Sequence, residues 1–521
     1  MGDFMTRFWN AWRPLVHRAL HPQARPDLAG KRPTGWQAAA LLYLVLPVAL
    51  FLSFFSSYVL AVLGLGFIGW AAWRILRNGL EPSSISRPVA GALLALACVL
   101  AGTCGILPPL WQNADYSKHY GVLKLLIESH RWPVVFDAGQ GPETLRYYLG
   151  WYLVPAGLCR ALGEGALDYV LAAWTALGLW LTFLLLAEHL KVKNRWLVVP
   201  AALLFMLFSG ADQLGTALTG HLTAYPDHYE WWASFYQFSS MMTSLVWAPQ
   251  HGLAAWLAVG LLLGAGAESW VITHAGLLFF ATFFWSPLCA VGIIPFVLAA
   301  GRANRFRQLL SISNVASVLT LAAPLFGYLM SSTGAIPHEW IFQVPGWTIP
   351  NLVAFWLLEF GIFALIVTTI GTERKLQFAV SIAVLLLVPL FTLGFSNDFS
   401  MHVPAPAIAV LAFIVIELVV TRPWRQTLPL ALPFLLGLGT PYAEWSRSFR
   451  WANRDRMDSP VYTLRMDLKN PFRDQYVAPY PNLFLRTVKR VRALPPSPIQ
   501  AAPPAPEVAP PAKRTRRHKK K

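Results

Sequence analysis

Residues 252–300 read GLAAWLAVGLLLGAGAESWVITHAGLLFFATFFWSPLCAVGIIPFVLAA, and Glu268 is the one residue among them with a formal charge. A hydrocarbon layer of about 30 Å takes roughly 20 apolar residues per helix, so this stretch divides into consecutive crossings near 252–267, 270–285 and 286–300. Outward from it, the same reading gives spans near 36–55, 57–76, 88–109, 168–190 and 195–211, then 308–330, 351–371, 376–394, 404–421 and 426–440. The predicted fold class is all-α: a polytopic transmembrane helix bundle of about 13 spans with outer-face loops and juxtamembrane helices.

Composition points the same way. Of 521 residues, 56% are hydrophobic and 13% charged, more apolar side chains than one soluble core can hold. The net charge of +17 comes with 14% aromatic residues, which fits a basic surface facing membrane lipids and gives no reason to expect a nucleic-acid partner. Cys98, Cys104, Cys159 and Cys289 all sit in apolar stretches with neither metal-ligand nor disulfide-framework spacing, and read as core filler.

Residues 1–35 form a basic amphipathic amino-terminal segment, with Phe8, Trp9, Trp12, Leu15, Val16 and Leu20 on one helical face; no cleavable signal is visible and the segment is expected in the cytoplasm. The membrane domain spans 36–440, with a first outer loop at 110–147 and a second at 210–251. A polar carboxy-terminal segment follows at 441–494, then a Pro/Ala-rich linker with a basic tail at 495–521. The apolar stretch 147–163 is short and contains Pro155, so it reads as a re-entrant or interfacial helix. With that count Arg74, Arg77, Arg87, Lys191, Lys193, Arg195, Arg302, Arg305, Arg307, Arg374, Lys375, Arg422 and Arg425 all fall on the amino-terminal side. The positive-inside rule makes that side cytoplasmic. Residues 210–251, 331–350 and 395–403 contain no Lys or Arg and belong to the opposite face.

That opposite face collects the polar residues. In the first loop, a helical pattern from Asp115 to Ser129 predicts a helix along the membrane surface, with Asp115, Lys118 and His119 on one edge. The plain role for Asp115 is to cap that helix and pair with Lys118. The chemical role is that of a general base, because moving a glycosyl group onto a hydroxyl needs a carboxylate near the acceptor proton and cations near the leaving phosphate. Lys118, Lys124, Arg131 and Arg146 are the cations of this loop. In the second loop, the one cofactor considered is a divalent ion held by His221, Asp227, His228 and Glu230, at a spacing that matches no specific template. Trp231, Trp232, Phe235, Tyr236 and Phe238 read as an interfacial belt. Gln250 and His251 stand at the mouth of the next span, where polar side chains are read as functional. Shorter loops add His338 and Glu339, and Asn397, Asp398 and His402, the Asn-Asp pair being ordinary turn chemistry.

This order of parts resembles the GT-C class of membrane glycosyltransferases, which use polyprenyl-phosphate sugars and include protein mannosyltransferases and lipid A aminoarabinose transferases. The span 88–109, the NADYSKHY segment, the helix after it and the YYLGWYLVPAG element follow the class's layout over roughly 88–440. The resemblance implies Asp115 as the catalytic aspartate. Lys118, His119, Arg146, Gln250, His251, Asn397 and Asp398 are the expected substrate-binding residues. Two extra spans precede the matching one, and Gly141, Pro142, Glu143, Thr144 and Leu145 replace a Pro-Pro-Leu stretch. The implied partners are a lipid-linked sugar donor, membrane lipids and an envelope glycan, lipid or protein acceptor, at a bacterial cytoplasmic membrane. Two alternatives stand beside it. An O-antigen ligase or polymerase would centre on arginines in a late outer loop, whereas 331–350 offers His338 alone. A transporter or flippase would use charges inside spans, and Glu359, Glu417 and Glu188 are the candidates.

Overall fold

The computed structural model describes residues 32–53, 58–129, 134–137, 142–220, 228–265, 269–302, 306–330, 336–394, 396–453 and 476–479. The amphipathic segment up to Lys31, the Pro/Ala-rich linker, Arg131, His221 and Asp227 lie outside them.

Uninterrupted apolar runs become helices because only a helix satisfies its own backbone polar groups away from water. Among the described residues, six are long and apolar enough to cross a membrane: Gly35–Ser53, Tyr58–Leu76, Glu164–His189, Ile312–Leu329, Ile349–Ile370 and Asp398–Thr421. Shorter apolar helices pack among them, including Arg87–Thr103, Ala275–Trp285 and Pro287–Gly301. The Leu153–Leu162 helix has 10 residues, about 15 Å at the helical rise.

Burial sorts the helices. Every residue of Pro249–Leu262 is buried, as expected of a helix apolar on all sides. Tyr58–Leu76 instead exposes Val59, Val62 and Leu63, an apolar face suited to lipid. Aromatic contacts tie the centre together: Tyr43 stacks on Trp174 at 4.0 Å, and the indole of Trp285 donates to the Leu44 carbonyl at 3.0 Å. Gly150 permits that Trp285 position, since a Cβ there would stand 2.3 Å from the ring.

The two ends of the bundle differ. At one end polar partners join helix termini: Thr34 Oγ1 donates to Glu188 at 2.8 Å, and Arg374 makes a two-point ion pair with Glu417 at 2.9 and 3.2 Å. Among the described residues, the other end carries the loops and two small antiparallel sheets, a minor addition to the helical bundle. One sheet joins Val135–Asp137, Pro142–Leu145 and Val477–Pro479; the other pairs His338–Trp340 with Phe391–Leu393. The first brings part of the 441–494 segment onto the first loop.

Two elements bear on the expected layout. The helix predicted along the surface is Asp115–Glu128, but Tyr116, His119, Tyr120, Gly121, Val122, Leu123, Leu125 and Leu126 are all buried. It is covered by its neighbours: Tyr120 bonds Asp168 and Arg160 Nε donates to the Leu126 carbonyl at 3.1 Å. The stretch 426–440 keeps a helical course through Leu428–Leu430 and Ala431–Gly437 into Gly439–Arg450, its hydrogen bonding locally rearranged where Pro429, Pro433 and Pro441 remove backbone donors.

Candidate active site

Prolines between helices create the polar anchor points of the site. The Met241–Trp247 helix ends at Ala248, the residue before Pro249, where the backbone leaves the helical region at φ −146°, and this leaves the last carbonyls of the helix open. Asn113 Nδ2 takes the Val246 carbonyl at 2.7 Å and His119 Nε2 takes that of Trp247 at 2.9 Å. A carbonyl only accepts, so Nε2 carries the His119 proton and Nδ1 accepts from the Tyr152 hydroxyl at 2.7 Å. Burial lowers the His119 pKa to about 4, so the imidazole is neutral. Both ring nitrogens are occupied, which makes His119 a clamp between the first and second loops.

The clamp fixes the start of the Asp115–Glu128 helix beside a cavity of about 1050 Å³. Asp115 Oδ1 meets Lys118 Nζ at 2.6 Å, both side chains about one-third exposed (32% and 34%). Burial opposes charge on Lys118, but Tyr476 and Asp115 hold its pKa above the ordinary value. Arg146 donates from Nη1 to the carbonyl of Leu329, the last residue of its helix, at 2.9 Å, where the helix dipole also favours a cation.

Across the cavity, His251 Nε2 meets the Tyr148 hydroxyl at 2.9 Å and Nδ1 meets Ser286 Oγ at 2.7 Å. The His251 ring stacks on His402 with centroids 3.6 Å apart. Gln250 is buried to 2% exposure and its Oε1 has no hydrogen-bond partner. Asn397 takes the turn role: at φ 51° it gives Nδ2 to the Phe235 carbonyl at 2.7 Å. Asp398 follows it into the cavity wall, where its charge reaches Tyr148 and Tyr476.

The structure thus brings Asp115, Lys118, His119, Arg146, Gln250, His251, Asn397 and Asp398 to the wall of one cavity. Its lining also includes the apolar side chains of Phe283, Pro287, Leu288, Leu329 and Met330. His338 is exposed, while its neighbour Glu339 lines the cavity.

The described members of the proposed metal set are engaged elsewhere. His228 Nδ1 bonds Glu444 at 2.7 Å, and Glu230 accepts from the Ser240 N–H at 2.8 Å and from Gln237 at 2.9 Å. Among the described residues no group of three or more His, Cys, Asp or Glu is arranged to hold a metal ion. Glu444 also takes two bonds from Arg447 at 3.0 and 3.1 Å and the Trp247 indole at 2.6 Å.

Sequence reasoning missed Tyr148, Tyr476 and the Glu444–Arg447 pair. The i,i+3 spacing of Glu444 and Arg447 was a usable signal; nothing local marks the two tyrosines. The chain matches no family model, no curated protein and no solved structure.

Proposed function

We propose that the chain is a GT-C-like membrane glycosyltransferase. It moves a sugar from a polyprenyl-phosphate carrier to an envelope acceptor at the outer face of a bacterial cytoplasmic membrane. The observation that carries this reading is a single cavity lined both by the charged side chains of Asp115, Lys118 and Asp398 and by the apolar ones of Phe283, Pro287, Leu288, Leu329 and Met330. Its volume of about 1050 Å³ exceeds what a small polar substrate fills, ligand pockets running to about 1,000 Å³ for drug-sized molecules. An amphiphile with a sugar-phosphate head and an apolar tail suits both kinds of lining.

In the reaction, the acceptor oxygen bonds to the anomeric carbon as the bond from that carbon to the carrier phosphate oxygen breaks. The phosphate leaves with the electron pair, and the acceptor proton passes to Asp115. Since Lys118 holds Oδ1, the second carboxylate oxygen is the one that receives it. Lys118 and Arg146 are the cations nearest the leaving phosphate.

The carboxylates that a transporter would use each take at least one protein partner. Glu417 is paired with Arg374, Glu188 takes the Thr34 hydroxyl, and Glu359 takes the Trp232 indole at 3.1 Å. For the ligase alternative, the 331–350 loop supplies no arginine.

A short-chain polyprenyl phosphate bearing a photoreactive tail tests the donor assignment in membranes containing the full chain. Crosslinks to peptides holding Phe283–Leu288 and Leu329–Met330, competed by unlabelled polyprenyl phosphate, are expected. Crosslinks confined to other helices, or insensitive to competition, would overturn it.

A further inference from the structure

Three aromatic rings of the second loop, Trp231, His228 and Trp247, line the cavity. The His228 ring packs on both indoles, with centroids 4.4 Å from Trp231 and 4.9 Å from Trp247. The polar edge of each ring is already engaged. Trp231 Nε1 donates to Gln237 Oε1 at 3.1 Å, His228 Nδ1 meets Glu444 at 2.7 Å, and Trp247 Nε1 donates to Glu444 at 2.6 Å. Both indoles are only partly buried, so what they offer the cavity is ring surface and not an N–H.

Gln250 lines the same cavity. It is 2% exposed, and its Oε1 has no hydrogen-bond partner among the described residues, whereas buried polar atoms are nearly always paired. The terminal torsion of a glutamine is soft, so the carboxamide can turn its oxygen to a bound donor. The backbone around it is held: His119 takes the Trp247 carbonyl at 2.9 Å, and the His251 ring is fixed by Tyr148 at 2.9 Å and Ser286 at 2.7 Å. A ligand for this lining therefore needs an apolar face for the rings and an O–H or N–H beside it. A pyranose has both, since the C–H bonds on one face of the sugar meet the negative face of an aromatic ring and hydroxyls surround them. An acyl chain would leave the Gln250 oxygen unmet. A cationic ligand would meet the Arg447 guanidinium, already 6.0 Å from the Trp247 ring centroid.

We propose that the indoles of Trp231 and Trp247 and the carboxamide of Gln250 form a saccharide subsite, in which the rings stack on a pyranose face and the Gln250 oxygen accepts from one of its hydroxyls. The same chemistry serves the sugar on the donor or a sugar of a glycan acceptor. The catalytic consequence rests on the transferase reading; the binding of a sugar does not.

The test is saturation-transfer NMR on the full-length chain in nanodiscs, with the methyl glycosides of glucose, mannose, galactose and N-acetylglucosamine as probes and choline as the cationic control. Transfer to at least one glycoside, strongest at its ring C–H protons, is expected, several-fold weaker in Trp247→Ala and in Gln250→Leu and kept in Trp231→Phe. Equal signals in wild type, Trp247→Ala and Gln250→Leu, no signal from any glycoside, or a signal from choline alone would overturn the proposal. Gln250→Leu adds no charge and keeps the side chain near its original volume, so an unfolding temperature near wild type separates lost binding from lost fold. The second readout is transfer in the same nanodiscs, where Gln250→Leu is expected to raise KM several-fold with kcat nearly unchanged. A rise for the donor alone assigns the subsite to the transferred sugar, and a rise for the acceptor alone to an acceptor glycan. If transfer occurs and Trp247→Ala and Gln250→Leu leave both KM values intact, the subsite fails and the transferase reading survives. If the wild type transfers nothing while the glycosides bind as described, the transferase reading fails and the subsite stands.

Discussion

Asp115 begins its helix without capping it: Ala114 is the cap, and the Asp115 N–H goes to Asn113 Oδ1 at 2.9 Å. The ion pair with Lys118 is present, so half of the plain reading holds, and the carboxylate is spared the capping duty. Asp115→Asn is expected to cut transfer by about 10²–10⁴-fold, the range for loss of a general base. Protein levels should be unchanged, because an ion pair this exposed contributes only about 0–1 kcal/mol; quantitative immunoblotting beside the assay checks both parts. His119 behaves oppositely. His119→Ala leaves the Tyr152 hydroxyl and Trp247 carbonyl without their partner, a cost of about 1–3 kcal/mol, read as a lower unfolding temperature in detergent. Asp115 and Lys118 were legible from helical spacing, and Gln250 and His251 from standing at the start of an apolar run. Tyr148 was not, because an aromatic in a membrane protein is usually belt or core, and its place in the site comes from its bond to His251, 103 residues further along the chain.

The junction between the second loop and the Gly439–Arg450 helix is where charge decides an element's stability. Glu444 is fully buried, His228 and Arg447 nearly so. Burial opposes charge on His228, but Glu444 lifts its pKa above the ordinary range; burial would raise Glu444, yet His228 and Arg447 hold it below. Burial, reinforced by Asp212, pushes Glu230 up to about 7. The signs follow from linkage. The His228 contribution is complete below its unfolded value near 6.5 and fades as pH rises through the raised folded value. The Glu444 contribution is present above about 4.5 and is lost as pH falls through its depressed value. Folding keeps the Glu230 proton between about 4.5 and 7, so ionisation across that range removes stability. The unfolding temperature is therefore expected to be higher at pH 5.5 than at pH 8.5, and the difference should shrink in Glu230→Gln. A midpoint that is flat or rises with pH contradicts this. Glu444→Gln takes away the counter-charge of a buried guanidinium, a loss of about 3–5 kcal/mol, seen as markedly reduced yield of folded protein. The sequence marked 441–494 simply as polar; that its first helix is interior became visible only when His228, Arg447 and Trp247 supplied partners for one carboxylate.

Across the whole molecule, hydropathy revealed a helical membrane bundle, and loop chemistry foreshadowed which end carries the cavity. Sequence pattern alone did not disclose the small sheets, whose three- and four-residue strands are too short for a period-two signal. At the opposite end, Arg374 is gripped by Glu417, packs 4.8 Å from the Phe413 ring centroid and donates to the Leu263 carbonyl at 3.0 Å. This is the anchorage of a helix end. Glu417→Gln is expected to lower the unfolding temperature while leaving transfer per folded molecule within about twofold, since that end is remote from the chemistry; a proportionate loss of specific activity would instead favour transport. The most direct test of the central claim is mass spectrometry of lipid-linked sugars and envelope glycans from cells lacking the chain, complemented with wild type or with Asp115→Asn. The account predicts a carrier-linked sugar that accumulates together with one missing glycan decoration, both corrected by wild type and neither by the variant. Unchanged glycans in the deletion, or full correction by Asp115→Asn, would contradict it.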